Sequence, residues 1–176
     1  IETVDPADVP RFGKLGVIAS MEPVHATPSP TPGDVWSTSI GAERAAHGWL
    51  WASIAKAGGR LAFGSDWPVM TLDPLMGLHV ATRTTVEGLP DGGWLPAERL
   101  PLRRAIDAYT KNAAWASFDE QRKGVLARDM LADLVILSDD IFEGSPTRLT
   151  EAHVMVTIAD GKVVYRREPL ETTTAP

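Results

Sequence analysis

Leu15-Gly-Val-Ile-Ala-Ser-Met21 and Arg60-Leu-Ala-Phe-Gly64 are the two stretches on which the fold turns. Each is a compact apolar run without polar alternation, the pattern of a strand buried on both faces in a parallel sheet. Turn formers bound both: Gly13 and Gly16 before the first, and Ser65-Asp66-Trp67-Pro68 after the second. Between them Ala42 to Ala57 reads as one helix, with Ala45, Trp49, Ala52 and Ile54 near its apolar side and Gly58-Gly59 as its stop. Strand, helix, strand in that order predicts two neighbouring parallel strands joined by a right-handed crossover.

Working outward, Asp5-Pro6 and Asp73-Pro74 are helix starts. An Asp side chain can accept from free N–H groups, and Pro suits the first helical position. The first of these helices must be short; the second is expected to run to about Val86. Residues 23–33 hold four prolines and read as an ordered loop or lid, and Gly88 to Pro96 reads as a second loop. Leu102, Ile106, Tyr109 and Ala113 mark the apolar face of a further helix. The texture then changes. Ala132–Leu137 is a strand, His153–Ile158 alternates with Val154, Val156 and Ile158 on one face, and Asp160-Gly161 is a hairpin turn leading into Val163–Tyr165. The early part is therefore α/β with a parallel sheet, and the later part a small antiparallel piece.

The 176 residues are 44% hydrophobic and 23% charged, the balance of a globular protein rather than a disordered one. No apolar run approaches the ~20 residues of a membrane helix. Net charge is −6 with no basic stripe, which argues against nucleic acid as a partner. The absence of cysteine excludes disulfides and thiolate metal sites. It fits the cytoplasm, the expected compartment, as well as the periplasm. The chain starts at Ile1 rather than Met, and Ile1-Glu-Thr-Val-Asp-Pro6 reads like mid-protein sequence, so a piece of a longer chain is expected.

In βα units ligands gather at the C-terminal ends of strands. Glu22 and His25 follow the first strand; Ser65, Asp66 and Trp67 follow the second. A carboxylate held at a strand end can bind a metal and accept a proton from water. The plainer readings stand beside this one. An Asp before an apolar residue and Pro also forms a local turn, His25 in a Pro-rich loop is often simply exposed, and Arg83 can form a surface pair with Glu87. His47, His79 and His153 read as structural or surface residues. No GxGxxG, Walker A, HExxH or GxSxG pattern occurs.

Taken together, Leu15–His25, Leu61-Ala-Phe-Gly-Ser-Asp-Trp-Pro-Val69, Ala108-Tyr-Thr-Lys-Asn-Ala-Ala114 and Ala132–Leu137 resemble the C-terminal part of the YtcJ-like amidohydrolases, within the metal-dependent amidohydrolase superfamily. The resemblance implies the C-terminal portion of a (β/α)8 TIM-like barrel, strands 7 and 8 with their helices, followed by the C-terminal part of a small β-sandwich. The matching division is 1–118 for the barrel part, 119–170 for the sandwich segment and 171–176 for a mobile tail. Asp66 matches the strand-8 aspartate, which binds metal and shuttles the proton of the attacking water. His25, Glu22, Trp67 and Arg83 are then expected on the substrate side. The family's His-x-His and its other metal ligands have no counterpart here.

What the resemblance implies is a fragment of a hydrolase acting on amide or related C–N bonds of a small molecule, with a divalent metal, expected to be zinc, in the full-length parent. The fragment alone is expected to be inactive and to bind no metal tightly, since a catalytic zinc takes three protein ligands. Its expected partners are the small-molecule substrate, the missing N-terminal barrel half in the same or another chain, and a second copy of itself; neither nucleic acid nor membrane is expected. The alternative is a self-contained, non-catalytic α/β module that binds a ligand or partner.

Overall fold

The computed structural model describes residues 1–26, 35–83, 95–143 and 148–168. The end of the Asp73-Pro74 helix, most of the two Pro- and Gly-rich loops and the tail at 171–176 lie outside the described residues.

Asp5 does what its position before Pro6 predicts. Its carboxylate accepts from Ala7 N at 2.9 Å and opens a single 3-10 turn, Pro6–Asp8, that leads into α1 (Val9–Leu15). Gly16, at φ 68°, ends the helix in the left-handed conformation. Strand β1 (Ile18–Met21) follows, then one 3-10 turn at Pro23–His25. Helices α2 (Val35–Ile40), α3 (Ala42–Ala45) and α4 (Trp51–Lys56) lead to β2 (Arg60–Phe63). The two strands pair in parallel, Ile18 with Arg60 through Met21 with Phe63, as the strand–helix–strand order requires.

Two expectations need correction here. Ala42 to Ala57 is not one helix: the chain breaks between α3 and α4, and Trp49 sits at φ 44°. The cause is non-local. Trp49 N donates to Glu2 O at 2.8 Å, and Thr3 bridges Gly48, so the N-terminal residues take the hydrogen bonds that a continuous helix would use. Nor is the first strand buried on both faces. It spans four residues, with Ala19 and Met21 fully buried and Ser20 exposed, and Leu15 and Val17 before it are exposed. The second strand does meet the expectation: Leu61, Ala62 and Phe63 are buried in succession, so both faces of β2 are covered.

The core lies on the face of Ala19, Met21, Leu61 and Phe63. Trp51 packs edge-on against Phe63, and Phe63 against Tyr109, with centroids 6.1 and 5.4 Å apart. Burying side chains of this size contributes roughly 1.5–3 kcal/mol each. Gly13 lets α1 approach the end of α4, because a Cβ there would overlap the Ala57 carbonyl. Helix α5 (Pro74–Arg83) is opened by Asp73, whose carboxylate accepts from Leu75 N at 2.9 Å. The helix expected from Leu102 to Ala113 is two, α6 (Leu102–Tyr109) and α7 (Lys111–Ala116), broken where Thr110 adopts ψ −94°. Arg60 stacks over Trp115, 3.9 Å from the ring centre, fixing α7 to the start of β2.

The later residues form β3 (Leu134–Leu137), α8 (Arg148–Glu151), β4 (Val154–Ala159) and β5 (Lys162–Arg166). They make one antiparallel sheet in the order β3-β4-β5, separate from β1 and β2. Asp160 and Gly161 both adopt positive φ, 50° and 71°, as the tight hairpin demands. Among the described residues the segment expected to be the C-terminal part of a sandwich is this one three-stranded layer, with all of β5 exposed. Leu149 and Ala152 nevertheless join the same core as β1 and β2.

Glu98 is the one buried charged residue among those described. Leu50 offers no side-chain cap to α4, and Glu98 reaches across 45 residues to do so. Its carboxylate accepts from Ser53 N at 2.9 Å and from Ser53 Oγ at 2.5 Å. Glu98→Ala leaves both donors unpaired. The expected loss is about 1–3 kcal/mol in unfolding free energy, read by denaturant titration.

Candidate functional site

The parallel register decides what meets at the sheet's end. Both strands leave the sheet in the same direction, so the residues after Met21 and those after Phe63 stand side by side. Gly64 N donates to Met21 O at 3.1 Å, extending the ladder one step. The chain then turns at Asp66, whose φ is 54°, a conformation that Asp tolerates better than most residues. Val69 N donates to Asp66 O at 2.8 Å and closes the turn, within which the Trp67–Pro68 peptide is cis.

The backbone closes the turn, and among the described residues no hydrogen bond to the Asp66 carboxylate takes part. The side chain is 56% exposed, and its charged neighbour is His25, with Nε2 to Oδ2 at 3.9 Å. That distance exceeds a hydrogen bond, but it places an imidazole edge directly against the carboxylate. His25 Nε2 is itself buried and has no hydrogen-bond partner among the described residues. Its other nitrogen, Nδ1, lies 3.6 Å from Glu2 Oε1.

Of the residues read from sequence, His25 and Asp66 are thus brought together. Glu22 sits one residue beyond β1, half-buried, and its charge reaches Tyr109. Trp67 is exposed on the turn beside Asp66. The side chain of Arg83 lies outside the described residues, as does its expected partner Glu87.

Two residues of this region were not legible as site residues. Glu2 gave no signal beyond its place near the chain start. Tyr109 looked like one more apolar position on a helix face. In the structure its hydroxyl reaches under the turn and donates to Gly64 O at 3.3 Å. Gly77 makes room for it, since a Cβ there would overlap the hydroxyl.

A carboxylate at a strand end can ligate a divalent cation through oxygen. Among the described residues, however, no group of three or more His, Asp or Glu is arranged to hold one. Asp66 fits a single ligand position and not a complete centre, so no step through a metal is assigned to this chain.

Burial, and secondarily the charge of Glu22, push the Tyr109 hydroxyl well above the usual range for tyrosine. Because the folded state holds this proton more tightly than the unfolded state, the stabilisation is fully present below pH ~10 and is lost as pH rises beyond it. Tyr109→Phe is expected to flatten this alkaline fall in stability. In a Tyr165→Phe background, where Tyr109 is the only tyrosine left, absorbance titration is expected to show no phenolate at pH ~11.

Comparison with known proteins identifies relatives of the whole described fold. The profile of the Amidohydrolase family matches residues 1–165. Protein LONG AFTER FAR-RED 3 of Arabidopsis thaliana is 35% identical over 164 residues, covering 91% of this chain and 27% of the plant protein. YtcJ of Bacillus subtilis (strain 168) is 27% identical over 168 residues, 94% of this chain and 31% of its own. The chain therefore spans less than a third of the length of these relatives. In fold it is similar to an uncharacterized metal-dependent hydrolase from Pyrococcus furiosus, with a TM-score of 0.58 and 23% identity over 73% of this chain and 25% of that one.

Proposed function

The chain belongs to the amidohydrolase family, and from that premise we propose that it is the C-terminal portion of a divalent-metal-dependent hydrolase cleaving an amide or related C–N bond of a small molecule. In this reading β1 and β2 are strands 7 and 8 of a partial barrel whose other strands come from the same or another chain.

The observation that carries the reading is Asp66. It stands at the C-terminal end of a parallel strand, in a left-handed turn closed by backbone alone, with its carboxylate open and His25 beside it. There it accepts a proton as a water oxygen bonds to the substrate carbonyl carbon. It then returns that proton to the leaving nitrogen as the C–N bond breaks. Asp66 would offer one oxygen ligand to a divalent cation in the full-length protein, and such a cation would supply polarisation of the substrate carbonyl. Glu22 and Trp67, at the same strand ends, face the substrate. The exposed Leu15 and Val17 beside β1 weigh against a self-contained module, which would bury them.

The test is Asp66→Asn in the full-length protein, against a panel of N-acetyl and N-formyl amino acids and aryl amides, read as released amine. Asn keeps the size and suits the turn, yet it cannot take the proton. Turnover is expected to fall ~10²–10⁴-fold with the melting temperature unchanged. Near-normal turnover would end the assignment.

A further inference from the structure

A row of side chains runs from the core to the strand-end carboxylate. Trp36 and Trp49 pack with ring centroids 4.3 Å apart, and Trp49 is buried. Trp36 Nε1 donates to Glu2 Oε2 at 2.7 Å. The backbone pins the same residue, since Trp49 N donates to Glu2 O. Glu2 is therefore fixed at one carboxylate oxygen and at its carbonyl, which leaves Oε1 facing His25 Nδ1 at 3.6 Å. Across the imidazole ring, Nε2 is buried, has no hydrogen-bond partner among the described residues and points at Asp66 Oδ2.

We propose that Glu2 and His25 are positioning residues for Asp66. The proposal rests on the reading of Asp66 as proton acceptor and adds what aims it. An exposed carboxylate on a turn, with no hydrogen bond among the described residues, can rotate about both side-chain torsions. With a proton on both ring nitrogens, His25 faces the fixed Glu2 carboxylate with one N–H at 3.6 Å and turns the other toward Asp66 at 3.9 Å. Outer carboxylate–imidazole pairs orient a working group in the same way, and their loss typically costs 10–100-fold in activity. The 3.9 Å gap is of the kind that tightens when substrate arrives. The pair with Glu2 is half-exposed, so its consequence is direction rather than stability.

The experiment compares Glu2→Gln, His25→Asn and Asp66→Asn in the full-length protein, using the fastest-turned-over N-acyl amino acid of the panel and the 15N resonances of the His25 ring. Gln keeps the acceptor for Trp36 and removes the charge facing His25. Asn at 25 places an amide near the Nδ1 position and removes Nε2. Both are expected to lower kcat ~10–100-fold with KM within about twofold, the signature of a contact that matters in the transition state. The His25 ring resonances are expected to shift in Glu2→Gln and in Asp66→Asn alike. Normal kcat in Glu2→Gln or His25→Asn, with Asp66→Asn inactive, overturns the row and leaves the hydrolase reading standing. Normal kcat in Asp66→Asn overturns both. Where Glu2→Gln does not fold, His25→Asn decides by the same criteria.

Discussion

Met21 lies opposite Phe63 in a parallel ladder, and from that pairing follows where every polar residue of the strand ends comes to lie. Parallel strands leave a sheet in the same direction, so His25 and Asp66, 41 positions apart in sequence, face each other across 3.9 Å. An antiparallel pairing would have sent them to opposite edges. The large side chains support the pairing from one side: Ala19, Met21, Leu61 and Phe63 turn toward Trp51, Ile54 and Tyr109, and that layer holds the two short strands in register. On the opposite face Ala62 is buried and Ser20 is exposed, and Leu15 and Val17 before β1 are exposed as well.

Local chemistry was legible in the sequence. Asp5-Pro6, Asp73-Pro74 and Asp160-Gly161 each act over two or three residues, and each behaves as its composition predicts. The parallel pair was legible because an apolar run, a helical stretch and a second apolar run leave few other arrangements. What was not legible acts over long separations. Nothing within Ala42–Ala57 says that Trp49 will give its N–H to Glu2. Nothing near Leu50 says that the cap of α4 will come from Glu98. The same separation hid Glu2, which reaches the site only because the N-terminal residues pair beside Gly48. The later sheet was legible as antiparallel, because its strands alternate and a tight Asp160-Gly161 turn joins two of them.

Asp66 and Asp73 both stand at turns and use their hydrogen bonds differently. A turn-forming Asp uses its carboxylate to hold the backbone, as Asp73 does here. Asp66 leaves that work to Val69 N and its own carbonyl. Its charge therefore stays available at the mouth of the sheet, where Tyr109 steadies the preceding Gly64 from below and His25 stands alongside. The chain belongs to the amidohydrolase family, and among the described residues no three or more His, Asp or Glu stand together to hold a metal ion.

The most direct test is a crystal structure of the full-length protein grown with a divalent cation and recorded at the metal's absorption edge. The account predicts an anomalous peak beyond the C-terminal ends of β1 and β2, with an Asp66 oxygen at ~2.0–2.2 Å and every other ligand from outside this chain. A peak elsewhere in the molecule, with the Asp66 carboxylate folded back onto the N–H groups of its own turn, would contradict it.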